Sequence, residues 1–229
     1  MLKKLFRCTG ITLLAAASSA LFVPAAQAQS EQQQLVNEAE KTLSNFLGDP
    51  QMTWLHKNIG RARGVLIAPE VVKAGFIIGG SGGRGVLVGR DSASGKWRGP
   101  VFYSLATASV GFQAGVAASE NVTLVMTEKG LNTLLATSVK LGGDASVAAG
   151  PVGAGAASDV TTDFVAFARS KGVYGGVNLD GTVITANGDW NNAYYGKSVL
   201  APDVLVRGNV QNKQADKLLA EVTAVAAKK

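Results

Sequence analysis

The sequence predicts an α+β fold in which N-terminal, central and C-terminal helices pack on a strongly curled antiparallel β-sheet or barrel-like core. Three observations support this prediction. Apolar residues recur at helical spacing near both ends of the chain, short β-type runs separated by glycine fill its middle, and glycine accounts for 28 of the 229 residues. Charged residues make up 17% and hydrophobic residues 47%, which is the composition of a folded globular protein rather than a disordered one.

The first 28 residues have the composition of a secretory signal peptide. Lys3, Lys4 and Arg7 form a positive start, residues 11–23 are apolar, and residues 26–28 (Ala-Gln-Ala) are the small-x-small pattern that signal peptidase recognises. We predict cleavage after residue 28 and an exported protein, either periplasmic or associated with a membrane of the cell envelope. This mainly apolar run of 13 residues is too short to span a bilayer, so no transmembrane segment is expected.

Cleavage would also change the charge and the cysteine content. It removes the single cysteine, so no disulfide is expected, and it lowers the formal net charge from +6 to +3, with 19 basic against 16 acidic residues remaining. A charge of this size gives no reason to expect nucleic-acid binding.

The predicted mature chain, residues 29–229, is expected to be one domain with a helix at each end. Apolar residues spaced three and four apart predict a helix over 32–47 with Ser30 as its N-cap, and a second short helical piece over 51–60. A central helix over 128–137 begins after Thr127, which is a good N-cap. The same apolar spacing predicts a C-terminal helix over 212–227.

Short β-type runs predict the strands of the sheet. We place them at residues 63–68, 74–80, 85–90, 109–117, 122–127, 139–148, 164–170, 173–179 and 182–186. Turns are predicted at Ser94-Gly95, Asp180-Gly181 and Asn187-Gly188, because glycine reaches positive φ without strain. Glycine inside strands is costly unless it permits bulges, close backbone approach or coiling, so it favours a curled sheet. A flat antiparallel sheet with helices on one face is the alternative.

The glycine-rich and polar motifs predict neither catalysis nor a cofactor. Residues 79–85 (GGSGGRG) lead into a strand and no βαβ unit surrounds them, so they fit neither a Walker loop nor a dinucleotide fold. Residues 195–198 (YGKS) lack the first glycine of a Walker loop. His56 is the only histidine and no Gly-x-Ser-x-Gly motif accompanies it, so no metal site and no catalytic residues are predicted.

Basic residues are concentrated in two segments that hold few acidic residues. The first follows the N-terminal helices, and the second lies between residues 79 and 99, where Asp91 is the only acidic residue. Trp97 adds an amphipathic ring of the kind found at membrane interfaces. We predict that the residues of these segments bind anionic lipid, although ordinary solvated charge is the alternative at any single position. The predicted lipid-binding residues are Lys57, Arg61, Arg63, Arg84, Arg90, Lys96, Trp97 and Arg98.

Seven short motifs rich in glycine and aromatic residues lie in order along the chain. They are residues 72–76 (VKAGF), 82–87 (GGRGVL), 97–100 (WRGP), 109–115 (SVGFQAG), 141–153 (LGGDASVAAGPVG), 174–181 (YGGVNLDG) and 194–196 (YYG). Together they resemble the SYLF domain family over a core of about residues 37–198. That family is a lipid-binding domain of bacteria and of yeast and animal proteins that regulate actin and membrane traffic. The resemblance implies binding of phosphoinositides or other anionic lipids without catalysis, and of actin filaments in fungal members.

Two features of this chain bear on what the resemblance implies. Glu31, Glu38 and Glu40 outnumber Lys41 in the N-terminal helix, so its polar face is not expected to dock electrostatically on an anionic membrane. An exported bacterial-type chain is also not expected to meet actin. We therefore expect the partners to be anionic phospholipids of the envelope, with an envelope protein as a further possible partner.

The function predicted first is non-catalytic binding of anionic phospholipid or phosphoinositide head groups by an exported envelope protein. The alternative is a structural or partner-binding envelope scaffold whose lipid affinity is incidental. A third class is a hydrolase that uses His56 or a carboxylate pair.

Overall fold

The computed structural model describes residues 29–75, 78–110, 115–153 and 161–227, and it shows a curled sheet covered by helices. The signal-peptide prediction for residues 1–28 lies outside the described residues. Within the described part the strands are β1 (Gly64–Gly75), β2 (Ile78–Arg90), β3 (Trp97–Val110), β4 (Gly115–Val125), β5 (Ser138–Lys140), β6 (Val147–Ala149), β7 (Phe164–Ser170), β8 (Val173–Gly176) and β9 (Val183–Ala186).

The sheet has the strand order β5-β9-β3-β2-β1-β4-β7-β6, and β8 also pairs with β7. The β6–β7 pair is parallel, and the other named pairs are antiparallel. The predicted α+β class and curled, mostly antiparallel sheet are therefore confirmed.

Helices lie on both faces of this sheet. They are α1 (Glu31–Gly48), α2 (Thr53–Asn58), α3 (Glu128–Leu134), α4 (Gly188–Tyr195), α5 (Ala201–Leu205) and α6 (Asp216–Ala226), with 3-10 turns at Ile59–Arg61 and Lys213–Ala215. Of the helices in the described ranges, none combines the length and the apolar character that a bilayer crossing requires.

Both faces of the central strands are buried, and this explains their continuous apolar sequence. In β1, Val65 and Ile67 belong to a core cluster with α1, α2 and α6, which we call the first core. Leu66 and Ala68 belong to a second core with α3 and α5. Because side chains alternate along a strand, a strand covered on both faces reads as an unbroken apolar run. Helices on one face only, the alternative considered from the sequence, are thus excluded.

The predicted strands 74–80 and 109–117 are wrong, because each crosses a point where one strand ends and the next begins. Strand β1 ends at Gly75 and β2 begins at Ile78, while β3 ends at Val110 and β4 begins at Gly115. The β-type residue composition continues through both connections, so the sequence did not mark them. Residues 97–108, which form most of β3, were also not predicted as a strand, since Gly99-Pro100 interrupts the apolar pattern.

The two predicted helix N-caps are confirmed. Ser30 caps α1 by accepting a hydrogen bond from the Gln33 backbone N–H (3.2 Å), and Thr127 caps α3 by accepting one from Gly130 (2.9 Å). Helices α4 and α5 were not predicted. The turn predicted at Asn187-Gly188 is instead the start of α4, where the Asn187 side chain accepts from the Trp190 N–H at 3.1 Å.

A β-bulge in β1 determines where glycine is needed in β2. Ile67 is opposite Val86 and Glu70 is opposite Arg84, so Ala68 and Pro69 together face Gly85. The bulge suits Pro69, which has no backbone N–H to donate to the ladder. On its other edge β1 shifts register against β4 at the same level. The bulged segment is therefore held between two neighbouring strands.

Replacing Lys171 with asparagine is expected to stabilise the fold by about 1 kcal/mol. Lys171 (φ 49°) and Gly172 (φ 78°) form the two-residue turn between β7 and β8, and both adopt the left-handed conformation. Asparagine occupies this conformation more readily than lysine, whereas glutamine does not. Thermal unfolding of Lys171→Asn should show a midpoint a few degrees above that of Lys171→Gln, which removes the same charge. Equal midpoints would contradict this prediction.

Candidate functional site

A cavity of about 850 Å³ opens at the end of the sheet where β2 ends. We call it the basic cavity. Its wall is made by α2, the 3-10 turn that follows α2, the end of β2, and the last residues of α1 and α6. The lining residues are Leu47, His56, Lys57, Gly60, Arg61, Arg90, Val225, Ala226 and Ala227.

Arg90 is held by backbone acceptors rather than by a carboxylate. It is the last residue of β2, and its backbone N–H donates to the Arg63 carbonyl at 2.7 Å. Its guanidinium donates from Nη1 to the Gly60 carbonyl (3.0 Å) and from Nε to the Gly95 carbonyl (3.1 Å). The backbone thus fixes the guanidinium at the cavity without neutralising its charge.

Lys57 and Arg61 reach the same cavity from the helical segment that precedes β1. Helix α2 buries Trp54 and Leu55 in the first core, and the 3-10 turn buries Ile59. Burial of these three side chains leaves Lys57 and Arg61 exposed on the outer side of the segment. Arg61 donates from Nη1 to the Asn58 side-chain oxygen at 3.3 Å.

The three cations of the cavity have no anionic partner within the segments that the structure describes. The ion pairs found there involve Arg63, Arg98, Lys129, Arg169 and Arg207, and none involves Lys57, Arg61 or Arg90. An anionic ligand would therefore meet positive charge that the protein does not already compensate.

Gly60 sets how closely α6 approaches the cavity. A Cβ atom at this position would lie 2.8 Å from the Ala226 carbonyl oxygen, so only glycine lets the end of α6 pack here. The Gly60 carbonyl is also the acceptor for Arg90. Gly60 thus accepts the hydrogen bond that positions Arg90 and also leaves room for the end of α6.

Two of the other predicted lipid-binding residues are engaged in ion pairs. Arg63 Nε lies 3.2 Å from Glu128 Oε1, and Arg98 Nη1 lies 2.9 Å from Asp91 Oδ2. Arg98 also donates to the Val206 carbonyl. Hydrogen bonds from Ser94, together with the charge of Arg98, lower the pKa of Asp91, so this carboxylate stays ionised beside the arginine. These two cations offer less uncompensated charge than those of the basic cavity.

The remaining three predicted residues lie apart from the cavity lining. Lys96 is exposed beside the turn between β2 and β3. Trp97 is only 8% exposed and packs in the first core, so little of its ring is accessible to a lipid. Arg84 stacks over the Trp190 ring, with its guanidinium carbon 4.6 Å from the ring centroid.

Arg84 also lies far from the basic cavity and is surrounded by acidic side chains. Along β2 it is six residues from Arg90, or about 20 Å at the rise of a strand. Glu31, Glu38 and Glu70 line the same groove as Arg84, between α1 and the sheet. This groove is therefore acidic overall, and Arg84 does not extend the basic cavity.

Sequence reasoning identified the cations of the cavity but not its other lining residues. His56 lines it, with Nε2 3.4 Å from the Phe46 carbonyl, as do Val225 and Ala226 of α6. No local sequence signal marks the contact of α6 with Gly60, because the two are far apart along the chain. Over the described ranges, no group of three or more His, Cys, Asp or Glu residues is placed to hold a metal ion.

Fold and site together define an α+β protein whose curled, helix-covered sheet carries a cationic cavity at one end. Residues 106–225 match the Ysc84 family, which is described as Las17-binding protein actin regulator. The chain belongs to this family, as the SYLF motifs in its sequence led us to expect.

Several curated proteins of yeast and mammals are similar to this chain. Human SH3 domain-containing YSC84-like protein 1 is 29% identical over 165 residues, which is 70% of this chain and 48% of the human protein. Saccharomyces cerevisiae Protein YSC84 is 34% identical over 152 residues, 63% of this chain and 32% of its own length. LAS seventeen-binding protein 3 of the same yeast is 31% identical over 180 residues, covering 73% and 39%. The chain thus spans less than half the length of each of these relatives.

Proposed function

We propose that the basic cavity binds the head groups of anionic phospholipids, phosphoinositides among them, and that the protein does so without catalysis. The observation that carries this proposal is the convergence of Lys57, Arg61 and Arg90 on one cavity without a carboxylate partner in the described structure. The names of the similar proteins describe binding and regulation rather than an enzymatic reaction, which is consistent with this function.

For attraction to an anionic membrane, the location of the basic residues matters more than the net charge of the protein. A basic residue close to an anionic membrane contributes about 1 kcal/mol of attraction, and this attraction fades beyond a Debye length of about 8 Å at physiological salt. Three cations on one cavity can therefore act together on one head group. The same charges dispersed over the surface would give only weak, diffuse attraction.

We further propose that this binding takes place in the cell envelope, as a single domain formed by residues 29–229 after export and removal of residues 1–28. The positive start, apolar run and Ala-Gln-Ala motif of the first 28 residues support export. Anionic phospholipid of the envelope would then be the accessible ligand, and actin would not be a partner of this chain.

A second candidate function is binding of an envelope protein, with incidental lipid affinity. The exposed part of the β1–β4 pair favours it, because Val72, Ala74, Val116 and Ala118 share one face there and Val116 is 75% exposed. A family description that refers to Las17 binding also concerns a protein partner. The lipid proposal has the more specific support, since its residues form a defined cavity.

Vesicle co-sedimentation tests the proposed function. The purified protein should sediment with vesicles that contain phosphatidylglycerol and should stay in solution with pure phosphatidylcholine. Raising the salt from about 0.05 M to about 0.5 M shortens the Debye length severalfold and should release most of the bound protein. Equal binding to both kinds of vesicle, or binding to neither, would contradict head-group recognition and favour the partner-binding alternative.

A further inference from the structure

The basic cavity is lined by apolar side chains as well as by cations. Leu47, Val225, Ala226 and Ala227 belong to its wall. Three of them, Leu47, Val225 and Ala226, pack against the first core from outside. The apolar part of the wall is therefore a continuation of the hydrophobic core that opens onto the cavity.

A head group alone would use only part of this lining. Its phosphate can pair with Lys57, Arg61 and Arg90, but it offers nothing to the apolar wall, which would stay in contact with water. Burial of that wall against a hydrocarbon chain would be favourable because apolar surface leaves water. The volume of about 850 Å³ is also in the range of pockets that enclose whole small molecules.

We propose that the basic cavity takes one anionic amphiphile at a time and admits one alkyl or acyl chain of that molecule. Its charged head lies on Lys57, Arg61 and Arg90, and the first part of its chain lies along Leu47 and Val225. This inference rests on the proposed function, because it assigns the same cavity to the same charge chemistry. It adds that the ligand is held as one molecule, with part of its chain inside the protein.

The position of α6 is what makes the apolar wall. Val225 and Ala226 are in the last turn of this helix, and Ala226 reaches the cavity because Gly60 has no side chain. Leu218 and Val222 anchor the same helix in the first core. The chain-binding wall is thus part of a fixed helix rather than of a loop.

A chain-length series tests this inference. Inorganic phosphate and the hexyl, octyl and decyl phosphates, each below its micelle concentration, would be titrated into the protein by calorimetry. Burial of a methylene is worth about 0.8 kcal/mol, so the affinity should rise about fourfold per methylene and then level off as the chain outgrows the cavity. Equal affinities for inorganic phosphate and all three alkyl phosphates would overturn the inference while leaving head-group binding intact.

Two variants locate the chain contact. Val225→Asn and Leu47→Asn should each flatten the chain-length dependence, because an amide replaces apolar surface on the cavity wall. Val206→Asn is the matched control, since Val206 is 50% exposed and does not line the cavity, and it should keep the full dependence. Thermal unfolding checks that each variant is folded.

The outcomes separate the inference from the proposed function. Full chain-length dependence in both cavity variants would place the chain elsewhere and overturn the inference. If the unmodified protein binds neither anionic vesicles nor alkyl phosphates, the proposed function itself is overturned.

Discussion

Gly85→Ala is expected to lower the free energy of unfolding by about 3 kcal/mol, although it adds only one methyl group. Gly85 faces the bulge of β1, where a Cβ would lie 2.7 Å from the Ile67 carbonyl oxygen and 3.3 Å from the Ala68 Cβ. The carbonyl cannot move away easily, because β1 is paired with β2 on one side and with β4 on the other. For a chain of this size the unfolding midpoint should fall by about 6–12 °C.

Gly82→Ala is the matched control for this prediction. Gly82 lies in the same strand, but a Cβ there would be 3.6 Å from the Leu105 carbonyl oxygen, which is an ordinary contact. Its unfolding midpoint should stay within about two degrees of the unmodified protein, since surface changes usually alter stability by at most about 0.5 kcal/mol. If the two variants unfold at the same temperature, the close approach at the bulge is not the reason for glycine at position 85.

The same bulge accounts for a second glycine of the GGRG sequence at residues 82–85. A Cβ at Gly83 would lie 2.4 Å from the Glu70 carbonyl oxygen, again on β1. Arg84 between them belongs to the opposite face, where its side chain stacks on Trp190. This motif therefore serves close strand packing rather than phosphate binding.

The triple variant Lys57→Gln, Arg61→Gln, Arg90→Gln should bind phosphatidylglycerol vesicles about 100-fold more weakly than the unmodified protein. Three basic residues at about 1 kcal/mol each amount to about 3 kcal/mol, and every 1.4 kcal/mol is a factor of ten. Co-sedimentation over a range of lipid concentrations measures the change. Circular dichroism and thermal unfolding show whether loss of the Arg90 hydrogen bonds has altered the fold.

The control variant also removes three positive charges, but at positions outside the basic cavity. Lys140, Lys171 and Lys197 are exposed and do not line the basic cavity, so their joint replacement by glutamine should weaken vesicle binding only slightly. If both triple variants lose affinity equally, the attraction is diffuse charge and the cavity has no special role.

Local signals in the sequence were sufficient for the starts of α1 and α3 and for one strand. Ser30 and Thr127 cap the helices where predicted, because a cap is a hydrogen bond between residues three apart. Strand 164–170 has its predicted bounds, since it is a compact apolar run ended by a turn. The end of β1, the start of β2, the end of β3 and the start of β4 were not predictable in this way, because β-type residues continue across both connections and strand ends are decided by pairing.

The sequence by itself determined which residues carry charge, which family motifs are present and that a curled α+β fold results. The tertiary structure alone decided which charges can act together. Arg90 joins Lys57 and Arg61 because it bonds to the Gly60 carbonyl, while Arg63 and Arg98 are paired with Glu128 and Asp91. Exposure and charge compensation depend on distances through space between residues far apart along the chain, and sequence spacing does not contain those distances.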